Sequence, residues 1–239
     1  AISNTGSLNG KWDISSSIGK WWVYDGTVAA EENGSGRRLK MTSNSNRAEG
    51  ASYILSKPID KDNIFHISFD FKCTDISADY WVEITNGDNM DSAITLFGMV
   101  NGRIRTGGGE ICALSAESIY GIDISVNLST LRQMTVIKDE IGNIIAKKTE
   151  KVFTRRNNLW NQTTLKNIDF LAYGNTIWYV DNLEMSVRPI SYGDSMGVYT
   201  ENFDAADGDI LSGTAISNTG SLNGKWDISS SIGKWWVYD

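Results

Sequence analysis

Proline and cysteine are scarce in this chain, two of each in 239 residues, and histidine occurs once. Two thiols, Cys73 and Cys112, do not define a disulfide framework, and neither belongs to a CxxC pair. The sequence leaves them either bonded or free. With His66 as the lone histidine, the sequence argues against a zinc site, and Ser-His or Cys-His catalysis has little support. No stretch approaches the roughly 18–20 apolar residues of a membrane span. Long helical periodicity is missing as well. Positive charge is also short: 22 Lys and Arg stand against 29 Asp and Glu, a net charge of −7. That balance disfavours nucleic acid, which demands a basic face, and Arg37-Arg38 and Arg155-Arg156 read as solvated pairs. Gly107-Gly108-Gly109 lacks the Lys-Ser/Thr of a phosphate loop and reads as a turn.

What is present is a duplication. Residues 1–25, AISNTGSLNGKWDISSSIGKWWVYD, recur letter for letter as residues 215–239. The period between the copies is too long for a solenoid repeat of about 20–50 residues and fits a whole globular domain. The chain is therefore read as one period of a tandem array plus the opening of the next. The expected organisation is a body over 1–188 that lacks its own first strand, then a Pro/Gly/Ser-containing linker over 189–198. Residues 199–239 hold a first strand around Phe203 and the start of the next repeat. A missing strand leaves an open sheet edge. The strand near Phe203 can close that edge in its own chain or be exchanged with a neighbouring copy.

Period-2 alternation bounded by Gly, Asn, Asp and Ser predicts strands throughout. In Ile64–Phe71 the residues Phe65, Ile67, Phe69 and Phe71 face one way, with His66, Ser68 and Asp70 opposite. Further strands are expected at 38–42, 51–55, 80–85, 93–99, 120–128, 133–138, 143–149, 165–172 and 176–187. Asp139–Asn143 reads as a hairpin turn with Gly142-Asn143 suited to positive φ, and Ala113–Tyr120 as a candidate turn of helix. So many short strands imply an all-β, two-sheet antiparallel sandwich of jelly-roll type.

Nine Trp and nine Tyr are many for such a chain. Aromatic faces stack on the apolar CH surface of sugars while amides and carboxylates fix the hydroxyls. Neighbouring aromatics in Tyr80-Trp81 and Trp21-Trp22 point to opposite sheet faces, so one of each pair fills the core and the other is a candidate ligand ring. Trp160, in a polar loop with Arg156 and Asn158, is the strongest single candidate. Trp160, Trp81, Tyr80, Trp22, Asn158 and Arg156 form the expected sugar-binding set. Asn86–Asp91 clusters oxygens without EF-hand spacing and reads as a polar turn. The E-x-D-x-x-E pattern of laminarinase-like glycosidases is absent, and no catalytic residue is assigned.

The closing strand Trp178–Val187, the Glu201-Asn-Phe-Asp204 opening and the Gly19–Gly26 stretch together resemble jelly-roll carbohydrate-binding modules. Such modules have concanavalin-A-like folds and are appended to bacterial polysaccharide-degrading enzymes. The resemblance implies a structural calcium tying first and last strands, with Asp181, Glu201 and Asp204 as ligands. It also implies a non-catalytic module, secreted or at a bacterial cell surface, whose partners are an extracellular polysaccharide and neighbouring copies of itself. The other reading is a structural repeat of an adhesin stalk or filament held by strand exchange.

Overall fold

The computed structural model of the chain describes residues 6–7, 15–16, 19–23, 25–33, 36–86, 93–106, 109–152, 164–190, 208–210 and 235–237. Two compact units divide it, Ala1–Pro189 and Ile190–Asp239. In the first unit the alternating segments become strands β1 (Gly6–Ser7), β2 (Ser15–Ser16), β3 (Gly19–Val23), β4 (Thr27–Asn33), β5 (Gly36–Asp60), β6 (Asn63–Cys73) and β7 (Asp79–Thr85). They continue as β8 (Ile94–Val100), β9 (Arg103–Thr106), β10 (Gly109–Ala113), β11 (Tyr120–Asn127), β12 (Arg132–Lys138), β13 (Ile144–Lys151) and β14 (Thr164–Pro189). Every pairing among them is antiparallel. No helix occurs among the described residues. The chain is an all-β antiparallel sandwich, as its alternation predicts.

Two long strands build both layers. Residues 167–173 of β14 pair with β7, whereas residues 178–189 pair with β6. Its partner β5 changes neighbours in the same way: residues 51–55 lie against β3 and residues 36–42 against β4. One layer, here the front sheet, therefore runs β10-β9-β8-β7-β14-β5-β3, and the back sheet runs β13-β12-β11-β6-β14-β5-β4. The sequence segments 38–42 and 51–55 are one strand, as are 165–172 and 176–187, because each strand passes through a corner without stopping.

The corner has a specific chemistry. Ala172 pairs with Glu49 but Gly174 pairs with Ser45, so β5 carries extra residues there, the signature of a bulge that turns a strand. Glu49, only 8 % exposed, closes the bulge by accepting from the Asn44 N–H at 2.6 Å and the Ser45 hydroxyl at 2.7 Å. Burial alone would raise its pKa, but these hydrogen bonds outweigh it and hold the carboxyl below its ordinary value. Gly50 (φ 152°) and Gly174 (φ 107°) sit at the same corner. A side chain at Gly50 would run into the carbonyl oxygen of Phe170, so the two strands approach closely only because no Cβ is present.

Between the sheets lies an aromatic core. Trp178, Tyr80, Phe71 and Phe170 are all 0–1 % exposed. The Trp178 ring is tilted on Tyr80 at 5.7 Å, Phe71 at 6.0 Å and Phe170 at 6.2 Å between centroids. Each such ring contributes about 1.5–3 kcal/mol through burial, with roughly 0.5–1.5 kcal/mol more for favourable ring pairs.

Some local expectations change. Ala113–Tyr120 holds turns rather than a helical turn, with Glu117 at φ 64° and its N–H donating to the Cys73 carbonyl at 2.8 Å. The hairpin turn forms as expected, but only Gly142 takes positive φ (89°). Strands β4, β9 and β10 are additions; β4 carries Glu31 and Glu32, and β9 alternates Arg103 and Arg105 with Ile104 and Thr106. Strand β14 runs through Pro189, while residues 191–207, with most of the expected linker and the strand near Phe203, lie outside the described residues. In the second unit, β15 (Gly208–Ile210) pairs antiparallel with β16 (Trp235–Val237).

Candidate functional site

Because successive side chains of a strand face opposite ways, the core-facing set of the front sheet fixes what its other face carries. Tyr80, Val82 and Ile84 of β7 and Ile168, Phe170 and Ala172 of β14 belong to the core cluster. The intervening Trp81, Glu83, Thr85, Asn167, Asp169 and Leu171 therefore share the outer face. The register lines them into rows. Trp22 is opposite Ser52, Ser52 opposite Asp169, Asp169 opposite Glu83 and Glu83 opposite Thr95. Ile54, Asn167 and Thr85 form the next row towards one end of the sheet, and Leu171, Trp81, Gly98 and Arg105 the row on the other side.

The central row is polar and enclosed. Asp169 and Glu83 are each 1 % exposed, and facing residues on neighbouring antiparallel strands hold their Cβ atoms about 4.5–5.5 Å apart. Hydroxyls from the flanking strands satisfy them: Ser52 donates to Asp169, and Thr95 donates to Glu83 at 3.1 Å. This cross-strand acid pair escapes a search for acids along a single strand, since its members are far apart in sequence and meet only through register.

The sequence candidates fall in different places. Trp22 is on the outer face and 37 % exposed, enough indole surface for a flat apolar ligand to cover. Trp81 shares that face but is 5 % exposed and lies over Gly98, where a Cβ would meet its ring at 2.5 Å. Tyr80 is the inward member of its pair. Its side chain is in the core, and its hydroxyl donates to the Asp75 carbonyl at 2.5 Å and bonds Thr176. At 0 % exposure Tyr80 offers no face to a ligand, and the same burial pushes its phenol well above its ordinary range. Trp160, Asn158 and Arg156 lie outside the described residues.

The strand that follows that segment is placed. Residue Thr164, the first of β14 after it, is opposite Asp60, and Asn167 is opposite Thr85 at the end of β7. The polar stretch 86–91 joins that same end of β7 to the start of β8, where Ile94 is opposite Ile84. There the side-chain carbonyl oxygen of Asn167 is buried with no hydrogen-bond partner, an acceptor whose desolvation costs about 1–3 kcal/mol unless a donor arrives.

On the back sheet Asp181 is opposite Asp70. Its Oδ2 accepts from the Asn33 amide at 2.8 Å and its Oδ1 from the Asn182 N–H at 2.9 Å, while the Asn182 amide donates to Asp70 at 2.7 Å. Asn182 has φ 47°, the strained member of the bulge between Asp181 and Glu184. Both Asp181 oxygens are already engaged, and no group of three or more His, Cys, Asp or Glu fit to hold a metal occurs among the described residues. Glu201 and Asp204 lie outside them. Nearby, His66 Nε2 is 3.0 Å from Asp123 Oδ1, and Lys138 Nζ is 3.9 Å from Asp123 Oδ2. The hydrogen bond from His66 holds the Asp123 carboxyl below its ordinary value, against the opposing effect of its burial. Cys73 and Cys112 are both free, and burial pushes the Cys73 thiol up to about 11. No helix among the described residues is long and apolar enough to cross a membrane.

No family model matches the chain, and no curated protein does. Among solved structures it is similar to a sialidase, with TM-score 0.52 and 11 % identity over 70 % of this chain and 17 % of that one. It is also similar to peanut lectin with a 9mer peptide, with TM-score 0.51 and 11 % identity over 80 % of this chain and all of the lectin. A glycoside hydrolase family 131 catalytic domain from Coprinopsis cinerea gives TM-score 0.48 and 14 % identity over 73 % of this chain and 86 % of that domain. At these identities the likeness concerns the fold alone, an antiparallel jelly-roll sandwich.

Proposed function

We propose that this chain is a non-catalytic carbohydrate-binding module that recognises an extracellular polysaccharide, secreted or displayed at a bacterial surface. The observation that carries the reading is Trp22. A large indole stays 37 % exposed on a sheet face whose other aromatic is covered, and it shares a cross-strand row with Ser52 and the acid pair. Exposed aromatics beside hydrogen-bonding side chains suit the two-sided surface of a pyranose. Trp160, Asn158 and Arg156 are the further candidates for ligand contact. The lectin-like sandwich supports the same class.

The acid pair is what a catalytic reading would use, since facing carboxylates about 5–5.5 Å apart suit a retaining glycosidase. Burial speaks against that role. A general acid must reach the glycosidic oxygen, and Asp169 and Glu83, each 1 % exposed and bonded to hydroxyls, are closed to it. We read them as a polar spine of the sheet.

The test is a pull-down of the intact chain on insoluble polysaccharides with Trp22→Ala and Trp160→Ala beside it. Retention of the wild type on at least one polysaccharide, lost at least tenfold in Trp22→Ala with no change in unfolding temperature, supports the reading. Equal retention of both variants and wild type removes it. Release of reducing sugar by the wild type, abolished in Glu83→Gln, would replace it with a hydrolase.

A further inference from the structure

Identical letters occupy two different strand pairs in this chain. Trp21, Trp22 and Val23 of β3 lie opposite Tyr53, Ser52 and Ala51 of β5. Trp235, Trp236 and Val237 of β16 lie opposite Ile210, Asp209 and Gly208 of β15. The surrounding residues 1–25 and 215–239 are the same. Nothing in the strand itself therefore selects one partner over the other, and a place that accepts the first copy accepts the second.

That place is well defined. Trp21 and Val23 are 4 % and 3 % exposed. The Trp21 ring stands edge-on to Tyr53 at 5.2 Å and tilted on Phe170 at 5.6 Å. A strand of identical sequence restores this packing in full, whichever molecule carries it.

We infer that the β3 place on β5 is an exchange site for a second copy of this chain. Residues 215–239 of one molecule displace residues 1–25 of the next and bring β15 with them. The incoming strand rebuilds the same packing that the outgoing strand gives up, so the exchange is close to neutral in energy. What favours a molecule's own first copy is its tether, which acts as an effective concentration on the order of millimolar. At roughly 10 μM protein the tethered copy wins about a hundredfold, and near millimolar concentration the advantage is gone. Donor and acceptor surfaces differ, so the contact is heterologous and extends into chains of molecules unless its rotation closes a ring. This inference does not depend on the glycan reading.

The experiment compares the intact chain with Trp21→Ala/Val23→Ala, with Trp235→Ala/Val237→Ala and with all four substitutions. Static light scattering and thermal unfolding are followed over a concentration series. The first-copy variant is expected to remain folded as dimers or larger species, with an unfolding temperature that rises with concentration. The four-site variant is expected to be monomeric and to unfold well below it. The wild type is expected to associate as it approaches millimolar concentration, and the second-copy variant is expected to stay monomeric there. The inference is overturned if the first-copy variant unfolds together with the four-site variant, or if it recovers as a monomer. It is equally overturned if the wild type and the second-copy variant scatter alike at every concentration.

Discussion

Gly50→Ala is the perturbation most sensitive to the account of the fold, because it asks whether two strands really pass each other without a side chain between them. Gly50 is opposite Leu171 in the β5–β14 pair, and its N–H donates to the Asp25 carbonyl at 3.2 Å. A Cβ there would overlap the Phe170 carbonyl oxygen and come within 3.0 Å of the Phe170 carbonyl carbon and 3.2 Å of Leu171 Cα. All three are backbone atoms of the strand that holds both sheets together, so relief requires displacing β14. Overpacking of this kind costs about 1–3 kcal/mol, and a side chain at the φ of 152° adds about 1–3 kcal/mol. The expected destabilisation is thus about 4 kcal/mol. Gly174→Ala is the internal control: its φ is 107° but a Cβ meets only Ala78 Cβ at 3.4 Å, so strain alone applies and about 1–2 kcal/mol is expected. Urea unfolding followed by tryptophan fluorescence measures both. With roughly 2–4 °C of melting temperature per kcal/mol for a domain of this size, Gly50→Ala melts about 8–16 °C low. A Gly50→Ala protein within about 1 kcal/mol of wild type, or one more stable than Gly174→Ala, would refute the close approach at the corner.

Two other outcomes follow from the charges. Asp123 and Glu49 both have lowered folded-state pKa values, so each contributes stability above its unfolded value near 4 that is lost as pH falls through the folded value. Acid unfolding should therefore set in below about pH 4. His66→Ala should flatten the Asp123 part by less than about 1 kcal/mol, since the pair is a third exposed; an unchanged pH profile would contradict the assignment. The resemblance to carbohydrate-binding modules implies a calcium at Asp181 with Glu201 and Asp204, although both Asp181 oxygens already accept hydrogen bonds; on that proposal millimolar calcium should raise the melting temperature and Asp181→Asn should abolish the rise. A temperature indifferent to both calcium and chelator would remove the proposal.

How much of this was legible beforehand depends on whether the signal is local. Alternation in Ile64–Phe71 and Tyr120–Leu128 placed β6 and β11 and their inward faces, because burial repeats every second residue. The same rule separated Tyr80 from Trp81 and Trp21 from Trp22, though it did not say which ring of each pair was inward. Alternation could not reveal that 38–42 and 51–55 are one strand, since the polar run Ser43–Arg47 between them looks like a loop. Only pairing with β14 and the Glu49 hydrogen bonds make it a corner. The Glu83–Asp169 pair was illegible for a related reason. Each acid is flanked by apolar residues, Glu83 by Val82 and Ile84 and Asp169 by Ile168 and Phe170, and an odd polar residue in such a run is the only trace it leaves. Strands β4 and β9, rich in charge, were missed because they lie towards the outside of each sheet, where side chains are free to be polar.

The proposed binding of a glycan at Trp22 is tested by amide chemical-shift mapping of the isotope-labelled chain, titrated with a soluble oligosaccharide of a polysaccharide that retains it. Shifts are expected at the amides of Trp22 and its cross-strand partner Ser52, with their loss in Trp22→Ala. Shifts confined instead to Asp70, Asp123 and Lys138 on the back sheet, with Trp22 unmoved, would contradict it.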